Sequence, residues 1–267
     1  MFTPKVSVIL PISSHTHFLE DCLKSLVLQN YANLEIIVVI WNDNFQSLAL
    51  CNLILKDLQF RIIEIAPGET LSVSLNIGIE AARADFIMRM DADDICFPQR
   101  ISTQINFFLN PINAGVSVLG SAAILVDEFG ARSGILKMPA FDTTIKSRLL
   151  WRNSLIHPTV MFRREVLTQF RYNPSSIKSQ DYELWLRMGP SVKFANIQEP
   201  LLAYRLHKKQ HSNLAMSRTD RTWINLARLS LGLHLGHSRI PLKLKQLLWS
   251  FYQSLLPMIQ TSRLRRR

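Results

Sequence analysis

The chain has 267 residues, of which 48% are hydrophobic and 19% are charged, a composition typical of a folded domain rather than a disordered one. Its net charge of +11 is concentrated in the C-terminal quarter. Residues 1–200 carry 18 basic and 19 acidic side chains, whereas residues 201–267 carry 13 basic side chains and one acidic side chain, Asp220. A nucleic-acid-binding domain is therefore disfavoured, since its positive charge should lie on the folded core.

The cysteines and the terminal segment indicate the compartment. Cys22, Cys51 and Cys96 follow no pairing pattern, which is typical of reduced thiols in a cytoplasmic protein. The first residues enter a strand-like segment without the charged and apolar regions of a secretory signal. No apolar run approaches the roughly 20 residues that a membrane span needs. We therefore expect a cytoplasmic chain that does not span a membrane.

Short β-branched runs alternate with amphipathic stretches over the first 120 residues. The runs predict strands at Val6–Leu10, Leu34–Ile40, Arg61–Ile65, Asp85–Met90 and Val116–Leu119. The stretches between them predict helices at Phe18–Leu28, Gln46–Leu58, Leu71–Ala82 and Gln99–Leu109. This alternation predicts an α/β fold, Rossmann-like, with a mostly parallel central sheet and helices on both faces. Such sheets bind ligands at the carboxyl ends of their strands.

The pattern changes after residue 121. A hairpin is predicted from Ala122–Val126 and Ser133–Lys137, with later helices at Thr143–Arg152 and Gln180–Met188 and later strands at Thr159–Arg163, Lys193–Ile197 and Leu202–Leu206. After His211 the chain is helical by pattern and rich in basic residues. We therefore expect one domain over residues 1–210 and a helical basic extension over residues 211–267.

The sharpest local feature is the acidic turn Asp91-Ala92-Asp93-Asp94, which follows Arg89 at the end of the fourth predicted strand. Three carboxylates in four residues repel one another unless a cation or hydrogen-bond donors lie among them. Carboxylate oxygens suit Mn²⁺ or Mg²⁺ bridged to a diphosphate. A solvated acidic turn before the next helix, with Arg89 as its charge partner, is the alternative interpretation.

Six segments in order resemble the family 2 inverting glycosyltransferases of the GT-A fold. They are Val6–Pro11, Leu34–Val39, Leu75–Ala82, Asp91–Arg100, His157–Arg164 and Gln180–Arg187. The resemblance covers about residues 5–210. It implies a metal-dependent enzyme of the hexosyltransferase type that uses a nucleotide-sugar donor and Mn²⁺ or Mg²⁺.

The resemblance also implies residue roles. Asp93 matches the family's direct metal ligand, and Asp91 matches the residue nearer the ribose or the metal's waters. Asp181 matches the catalytic aspartate, a general base that deprotonates an acceptor hydroxyl during a single inverting displacement. The alternative for Asp181 is a carboxylate that favours the positive end of a helix dipole.

The resemblance also implies further site residues, through motifs that are less specific. Those implied at the nucleotide-sugar are Pro11, Asn76, Arg89, Asp91 and Ala92. Arg205 and His207, in a late Arg-X-His, are candidates for the diphosphate or the metal, and His157 and Trp185 are candidates for the acceptor. Asn76 as a local helix cap and His157 as a hydrogen-bonded core histidine are the structural alternatives.

The sequence departs from the family at two places. Ile40-Trp41-Asn42-Asp43 replaces the usual Asp-Asp-Gly-Ser, so the carboxylate that reads the nucleobase is absent from its usual position. Two substitutes for this carboxylate are available in the sequence: Asp43 from a shifted loop, or Trp41 by stacking on the base. Gln180 replaces the Glu that precedes the catalytic aspartate. These two replacements leave an alternative interpretation open, in which the chain is a degenerate glycosyltransferase that binds a sugar nucleotide or a partner without turnover.

We therefore predict transfer from a nucleotide-sugar, with a UDP-sugar preferred, to a glycan or lipid-linked acceptor in bacterial exopolysaccharide, O-antigen or lipopolysaccharide synthesis. The basic extension combines leucines at helical spacing, such as Leu226, Leu229 and Leu233, with Trp223 and Trp249 and a terminal arginine run. This pattern predicts peripheral contact with an anionic membrane surface. Packing of the leucines on the catalytic domain or on a second subunit is the alternative.

Overall fold

The structure is a computed structural model that describes residues 3–14, 16–41, 43–208, 210 and 216–237. Within these residues the strands are β1 Val6–Ile12, β2 Leu34–Trp41, β3 Phe60–Ile65, β4 Phe86–Arg89, β5 Ile95–Cys96, β6 Val116–Val126, β7 Arg132–Leu136, β8 Met161–Arg163 and β9 Lys193–Arg205. The α-helices of the same described ranges are α1 Leu19–Val27, α2 Phe45–Ile54, α3 Leu71–Ala81, α4 Arg100–Leu109, α5 Asp142–Leu149, α6 Arg164–Gln169, α7 Gln180–Met188 and α8 Arg218–His234. The predicted α/β class is confirmed.

The first half of the sheet is parallel, in the order β3-β2-β1-β4. Every residue of β1 is buried, as is every residue of β2 except Trp41 at its end. Continuous apolar runs suit strands that are covered on both faces. The register places Ile12 beside Ile40 and Trp41 beside Ile65, so the strands end together at one edge of the sheet.

Antiparallel pairs build much of the second half. β8 pairs antiparallel with β4 and with β6, β6 runs parallel to β9, and β5 and β7 pair antiparallel with β9 and β6. The two strands predicted at Lys193–Ile197 and Leu202–Leu206 form the single strand β9, which corrects that expectation. Pro200 lies where the register against β6 shifts, and a register irregularity tolerates the missing N–H of proline.

Helices cover both faces of the sheet because successive strand residues point to opposite sides. Ile9 packs in one cluster with α3, α5 and α7, whereas Val8 and Leu10 pack in the other with α1 and α4. Gly78 of α3 permits a close approach, since a Cβ atom at this position would lie 2.5 Å from Ile9 Cγ2. The three cysteines are buried and form no disulfide.

Helix α8 docks on α7 through one face. Its Ile224 and Leu231 are fully buried, and Asp220 and Ser217 form a capping box at its N-terminus. Trp223, Leu226 and Leu233 point away from the buried face and are 41%, 55% and 40% exposed. The predicted extension beyond residue 237, including Trp249, lies outside the described residues. Among the residues that the structure describes, no helix is long and apolar enough to cross a membrane.

Candidate functional site

Two cavities meet at the carboxyl ends of the parallel strands. The β2-side cavity has a volume of about 550 Å³ and is lined by the ends of β1 and β2 and by the loops that follow β1 and β3, including Pro11, Ser13, Ser14, Trp41 and Glu69. The α7-side cavity has a volume of about 400 Å³ and is lined by residues that include Arg89, Asn153, His157, Gln180 and Asp181. Leu71, Asp91, Asp93 and Gln210 line both cavities. The acidic turn therefore lies where the two cavities join.

The acidic turn places its three carboxylates differently. Asp91 forms an ion pair with Arg89, the last residue of β4, and Asp93 accepts a hydrogen bond of 2.8 Å if His207 Nε2 carries a proton. Asp94 is fully buried, and its Oδ1 accepts the Arg205 backbone N–H at 2.9 Å. Burial and the two neighbouring carboxylates raise the pKa of Asp94 well above its usual value. Asp91 and Asp93 face the cavities, and Asp94 anchors the turn.

Arg205 supports this turn and does not reach the cavities. Its guanidinium donates to the Asp93 and Glu128 carbonyls and to Asp21 Oδ2, and it lies 4.4 Å from the centre of the Phe18 ring. The residue is 3% exposed and lines neither cavity. The expectation that Arg205 contacts the diphosphate or metal is corrected, because its hydrogen bonds hold the backbone instead. His207, by contrast, lines the β2-side cavity.

The acidic turn fits a divalent cation. One ligand oxygen from each of Asp91, Asp93 and Asp94 can be chosen so that all three lie within 4.8 Å of one another. Carboxylate oxygens are the ligands that Mg²⁺ and Mn²⁺ prefer. Burial and the charge of Asp91 raise the pKa of Asp93, while His207 opposes this rise. A cation bound here would relieve the repulsion among the carboxylates.

Asp181 lies in the first turn of α7, on the wall of the α7-side cavity. The helix is preceded by Ser179, which adopts the left-handed region at φ 59°, the one such non-glycine residue in the part of the chain described. Asn153 Nδ2 donates to Asp181 Oδ2 at 2.6 Å. Burial raises the pKa of Asp181, whereas the Tyr182 backbone N–H, Asn153 and Arg89 lower it. A carboxylate with a raised pKa suits proton transfer.

His157 lines the α7-side cavity and also takes part in a buried cluster. Its Nε2 lies 2.8 Å from the hydroxyl of Tyr172, a residue that is 2% exposed. Asn76 bonds to the Tyr172 backbone in both directions, at 2.8 and 3.0 Å, and lines neither cavity. The expectation that Asn76 binds the nucleotide-sugar is corrected, because its amide joins α3 to the segment before α7.

Trp185 also takes a structural position. It is fully buried and packs against Phe162 and His157 in the core, and it lines neither cavity. Trp185 lies one helical turn after Asp181 on the same face of α7, at a position that the core covers completely. The expectation that Trp185 contacts an acceptor is therefore wrong, since it has no surface to offer one.

The nucleobase side has an unusual lining. Pro11 and Ala92, which are expected at the nucleotide-sugar, line the β2-side cavity together with Trp41. Ile40, at the position of the family's base-reading carboxylate, is 1% exposed, and Asp43 lies outside the cavity lining. Glu69, from the loop after β3, brings a carboxylate to this cavity. No sequence motif marks Glu69, because only the fold brings it to the cavity that Trp41 also lines.

Sequence reasoning also missed Asn153. This residue lies 28 positions before Asp181, in an irregular segment without a motif, and the tertiary fold alone brings the two together. Gln180 is the residue that replaces the family's Glu before the catalytic aspartate. It is 4% exposed, lines the α7-side cavity, and its Oε1 is buried without a hydrogen-bond partner among the described residues.

The acidic turn at the sheet edge thus shares a cavity with Asp181 at the N-terminus of α7. The family model for glycosyl transferase family 2 matches residues 7–170, and the chain belongs to this family. The chain is 28% identical to the O-antigen biosynthesis glycosyltransferase WbnJ of Escherichia coli, over 79% of this chain and 84% of that protein. It is 30% identical to the amylovoran biosynthesis glycosyltransferase AmsE of Erwinia amylovora, over 70% of each.

Solved structures share the fold at low sequence identity. S. aureus TarS residues 1–349, in complex with UDP-GlcNAc, superposes with a TM-score of 0.70 at 15% identity, over 90% of this chain and 69% of that one. The mannosyltransferase PcManGT from Pyrobaculum calidifontis, in complex with GDP-Man and Mn²⁺, gives 0.58 at 15% identity, over 96% and 81%. These similarities show the GT-A fold.

Proposed function

We propose that the chain is an inverting, metal-dependent hexosyltransferase that uses a nucleotide-sugar donor. One observation carries the proposal: Asp181 lines the same cavity as the cation-compatible carboxylates Asp91 and Asp93. A donor whose diphosphate lies at the acidic turn would then present its sugar to Asp181. The two named solved structures hold nucleotide-sugars on the same fold, which supports a donor of this class.

The residues suit a single displacement. Asp181 takes the proton of an acceptor hydroxyl, whose oxygen attacks the anomeric carbon while the bond from that carbon to the diphosphate breaks. Nucleoside diphosphate leaves, and the new glycosidic bond has inverted configuration. A cation at Asp91 and Asp93 would neutralise charge on the departing diphosphate. Arg89, which is 3% exposed and lines the α7-side cavity, places a positive charge between the acidic turn and Asp181.

The β2-side cavity is the proposed nucleoside subsite. Trp41 offers an aromatic surface for the base, and Glu69 offers a carboxylate where the usual aspartate is replaced by Ile40. A carboxylate can accept an N–H of uracil, thymine or guanine alike. A UDP-sugar is the proposed donor because TarS, which gives the higher TM-score of the two named structures, holds UDP-GlcNAc. The names of WbnJ and AmsE, which are glycosyltransferases of O-antigen and amylovoran biosynthesis, support a role in polysaccharide biosynthesis. We propose a glycan or lipid-linked acceptor for this chain, on the cytoplasmic side of the membrane.

The experiment is a donor screen with the full chain. Binding and turnover of UDP-, GDP- and dTDP-sugars are measured by calorimetry and by release of nucleoside diphosphate, with Mn²⁺ and then with EDTA. We expect one UDP-sugar to bind and turn over with Mn²⁺ and to lose both in EDTA. Binding without turnover in the presence of surface-glycan acceptors would favour the degenerate alternative. Failure of every donor to bind would contradict the proposal.

We further propose that residues 211–267 act as an extension that contacts an anionic membrane surface. Trp223, Leu226 and Leu233 leave an apolar stripe exposed on α8, opposite the face that packs on α7. Residues 201–267 carry 13 basic side chains and one acidic side chain. An apolar stripe flanked by positive charge favours the headgroup region of anionic lipids. This contact would bring the active site to lipid-linked acceptors.

Liposome flotation tests this contact. We expect the full chain to float with phosphatidylglycerol vesicles and to remain behind with neutral phosphatidylcholine vesicles. The double variant Trp223→Ser and Leu226→Ser should lose most of this retention. Ile112→Ser, which removes an apolar side chain that is 90% exposed at a short 3-10 helix after α4, is the matched control. Equal retention of the double variant and the control would overturn the proposed surface.

A further inference from the structure

We propose that Asn153 is the positioning residue of Asp181: it occupies one carboxylate oxygen, Oδ2, and leaves Oδ1 to take the proton of the acceptor. This inference rests on the proposed function, in which Asp181 is the general base. Asn153 lies in the segment between α5 and β8 and lines the α7-side cavity together with Asp181. Its Nδ2 donates to Asp181 Oδ2 at 2.6 Å.

The orientation of the Asn153 amide is fixed by its own second hydrogen bond. Asn153 Oδ1 accepts the Leu155 backbone N–H at 3.2 Å, so the oxygen faces the backbone and the NH₂ group faces Asp181. A flipped amide would bring two oxygens together at Asp181 and leave the Leu155 N–H without this acceptor. The amide therefore presents a donor to the carboxylate and cannot exchange the roles of its two ends without losing both hydrogen bonds.

Two hydrogen bonds hold the chain in place, one before and one after Asn153. Tyr182, the residue after Asp181, donates its hydroxyl to the Leu149 carbonyl at 2.6 Å. Asn196 of β9 donates from Nδ2 to the Ser154 carbonyl at 3.1 Å. The same helix thus supplies the base and holds the segment that orients it. Such supporting bonds keep a catalytic group within the narrow geometry that proton transfer needs.

The hydrogen bond makes the two carboxylate oxygens of Asp181 unequal. Oδ2 is engaged by the Asn153 side chain, and the backbone N–H groups of Asp181 and Tyr182 also bond to the carboxylate. Because each carboxylate oxygen has two lone pairs, Oδ1, the oxygen that Asn153 does not engage, is the proposed acceptor for a substrate hydroxyl. The charged and titratable groups around the carboxylate are Arg89 on β4, Asp91 and Asp93 in the acidic turn, His157 and Tyr172, and Lys178 before α7. Asn153 is a neutral donor among these charges, and it favours the ionised form that a base requires.

The test compares Asn153→Ala and Asn153→Asp with Asn113→Ala. Asn113, at the short 3-10 helix after α4, is likewise half-buried and donates its amide to a backbone carbonyl, Phe107 O at 3.0 Å, but it lines neither cavity. We expect Asn153→Ala to lower kcat roughly 10- to 100-fold, the cost of a misplaced catalytic group. The KM and the Kd of the donor should stay unchanged, because donor binding does not use Asn153. Asn113→Ala should leave kcat unchanged.

The pH profile separates positioning from a structural role. Asn153 lowers the pKa of Asp181, so its loss raises that pKa, and the acid limb of kcat should move to higher pH. Asn153→Asp, which keeps the acceptor for Leu155 N–H and adds a like charge, should move the limb further. If Asn153→Ala fails to fold, Asn153→Asp carries the same test.

Three outcomes are distinguishable. A lower kcat with a shifted acid limb and unchanged donor Kd supports the positioning role. A rate and a limb equal to those of Asn113→Ala overturn it, provided that Asp181→Asn is inactive. Full activity of Asp181→Asn would instead overturn the proposed function on which the inference rests.

Discussion

The two cavities that meet at Asp91 and Asp93 are built in different ways. The β2-side cavity is lined mainly by loops that directly follow parallel strands, such as Ser13 after β1 and Trp41 at the end of β2. The α7-side cavity gathers residues from separate segments, including Arg89, Asn153 and Asp181. One cavity follows from the order of strands in a sheet, and the other depends on how the second half of the chain packs over it.

The electrostatics differ in the same way. Where the cavities join, the acidic turn concentrates negative charge and is restrained by Arg205, Arg89 and His207. On the α7 side, Asp181 is oriented by the neutral amide of Asn153. A cluster of carboxylates suits a cation, and a single carboxylate with a raised pKa suits a proton. Under the proposed function, the donor binds at the acidic turn and in the β2-side cavity, and the proton is transferred in the α7-side cavity.

The largest expected effect on donor binding comes from the acidic turn. Asp93→Ala should weaken Mn²⁺-dependent binding of the donor by more than the roughly 10- to 100-fold that loss of a supporting partner costs at a metal site. Isothermal calorimetry with Mn²⁺ measures this change. Asp85→Ala, an exposed residue before the opposite end of β4, is the control. Unchanged donor affinity of Asp93→Ala would break the assignment of the metal to this turn.

A smaller effect on donor binding is expected from substitution of Trp41. Base–aromatic stacking contributes about 1–3 kcal/mol, so Trp41→Ala should weaken donor binding roughly 10-fold or more, and Trp41→Phe should retain most of it. Phe45→Ala removes an aromatic side chain that is 72% exposed and outside both cavities, and it should bind as the unmodified chain does. Equal binding by Trp41→Ala and Phe45→Ala would show that Trp41 does not hold the base.

The smallest expected effect is on stability, at Asp220, whose side chain holds the segment before α7 that lines both cavities. Asp220 Oδ1 accepts the Ile177 backbone N–H at 3.1 Å, and Ile177 and Lys178 line one cavity each. Asp220→Ala also removes the capping box of α8, so it should lower the free energy of unfolding by about 1–2 kcal/mol. Chemical denaturation measures this loss, and Asp220→Asn should lose less. A variant as stable as the unmodified chain would show that this segment does not depend on α8.

The sequence predicted the parallel half of the fold well because its signals are local. Strand and helix periods predicted β1, β2 and α3 to within a few residues, and the acidic turn followed the strand at which ligands bind. The break at Gln198-Glu199-Pro200 suggested two strands, but β9 continues through it because the register against β6 shifts there. A sequence period cannot reveal such an adjustment by a neighbouring strand.

The site was harder to predict where a residue acts through tertiary contacts. Asp181 has a recognisable motif, whereas Asn153 has none. Arg205 and Asn76 carry functional side-chain types, yet their hydrogen bonds serve the Asp93 backbone and the Tyr172 backbone. The chemical type of a side chain does not tell whether it faces a cavity. Only the packing of β9 and α3 decides this.

The most direct test of the account is Asp181→Asn, which removes the charge and keeps the shape. The account predicts that kcat falls by about 10²- to 10⁴-fold, the usual contribution of a general base, while the Kd of the donor with Mn²⁺ is unchanged. Turnover at the rate of the unmodified chain, with the donor bound equally well, would contradict the assignment of Asp181 as the base.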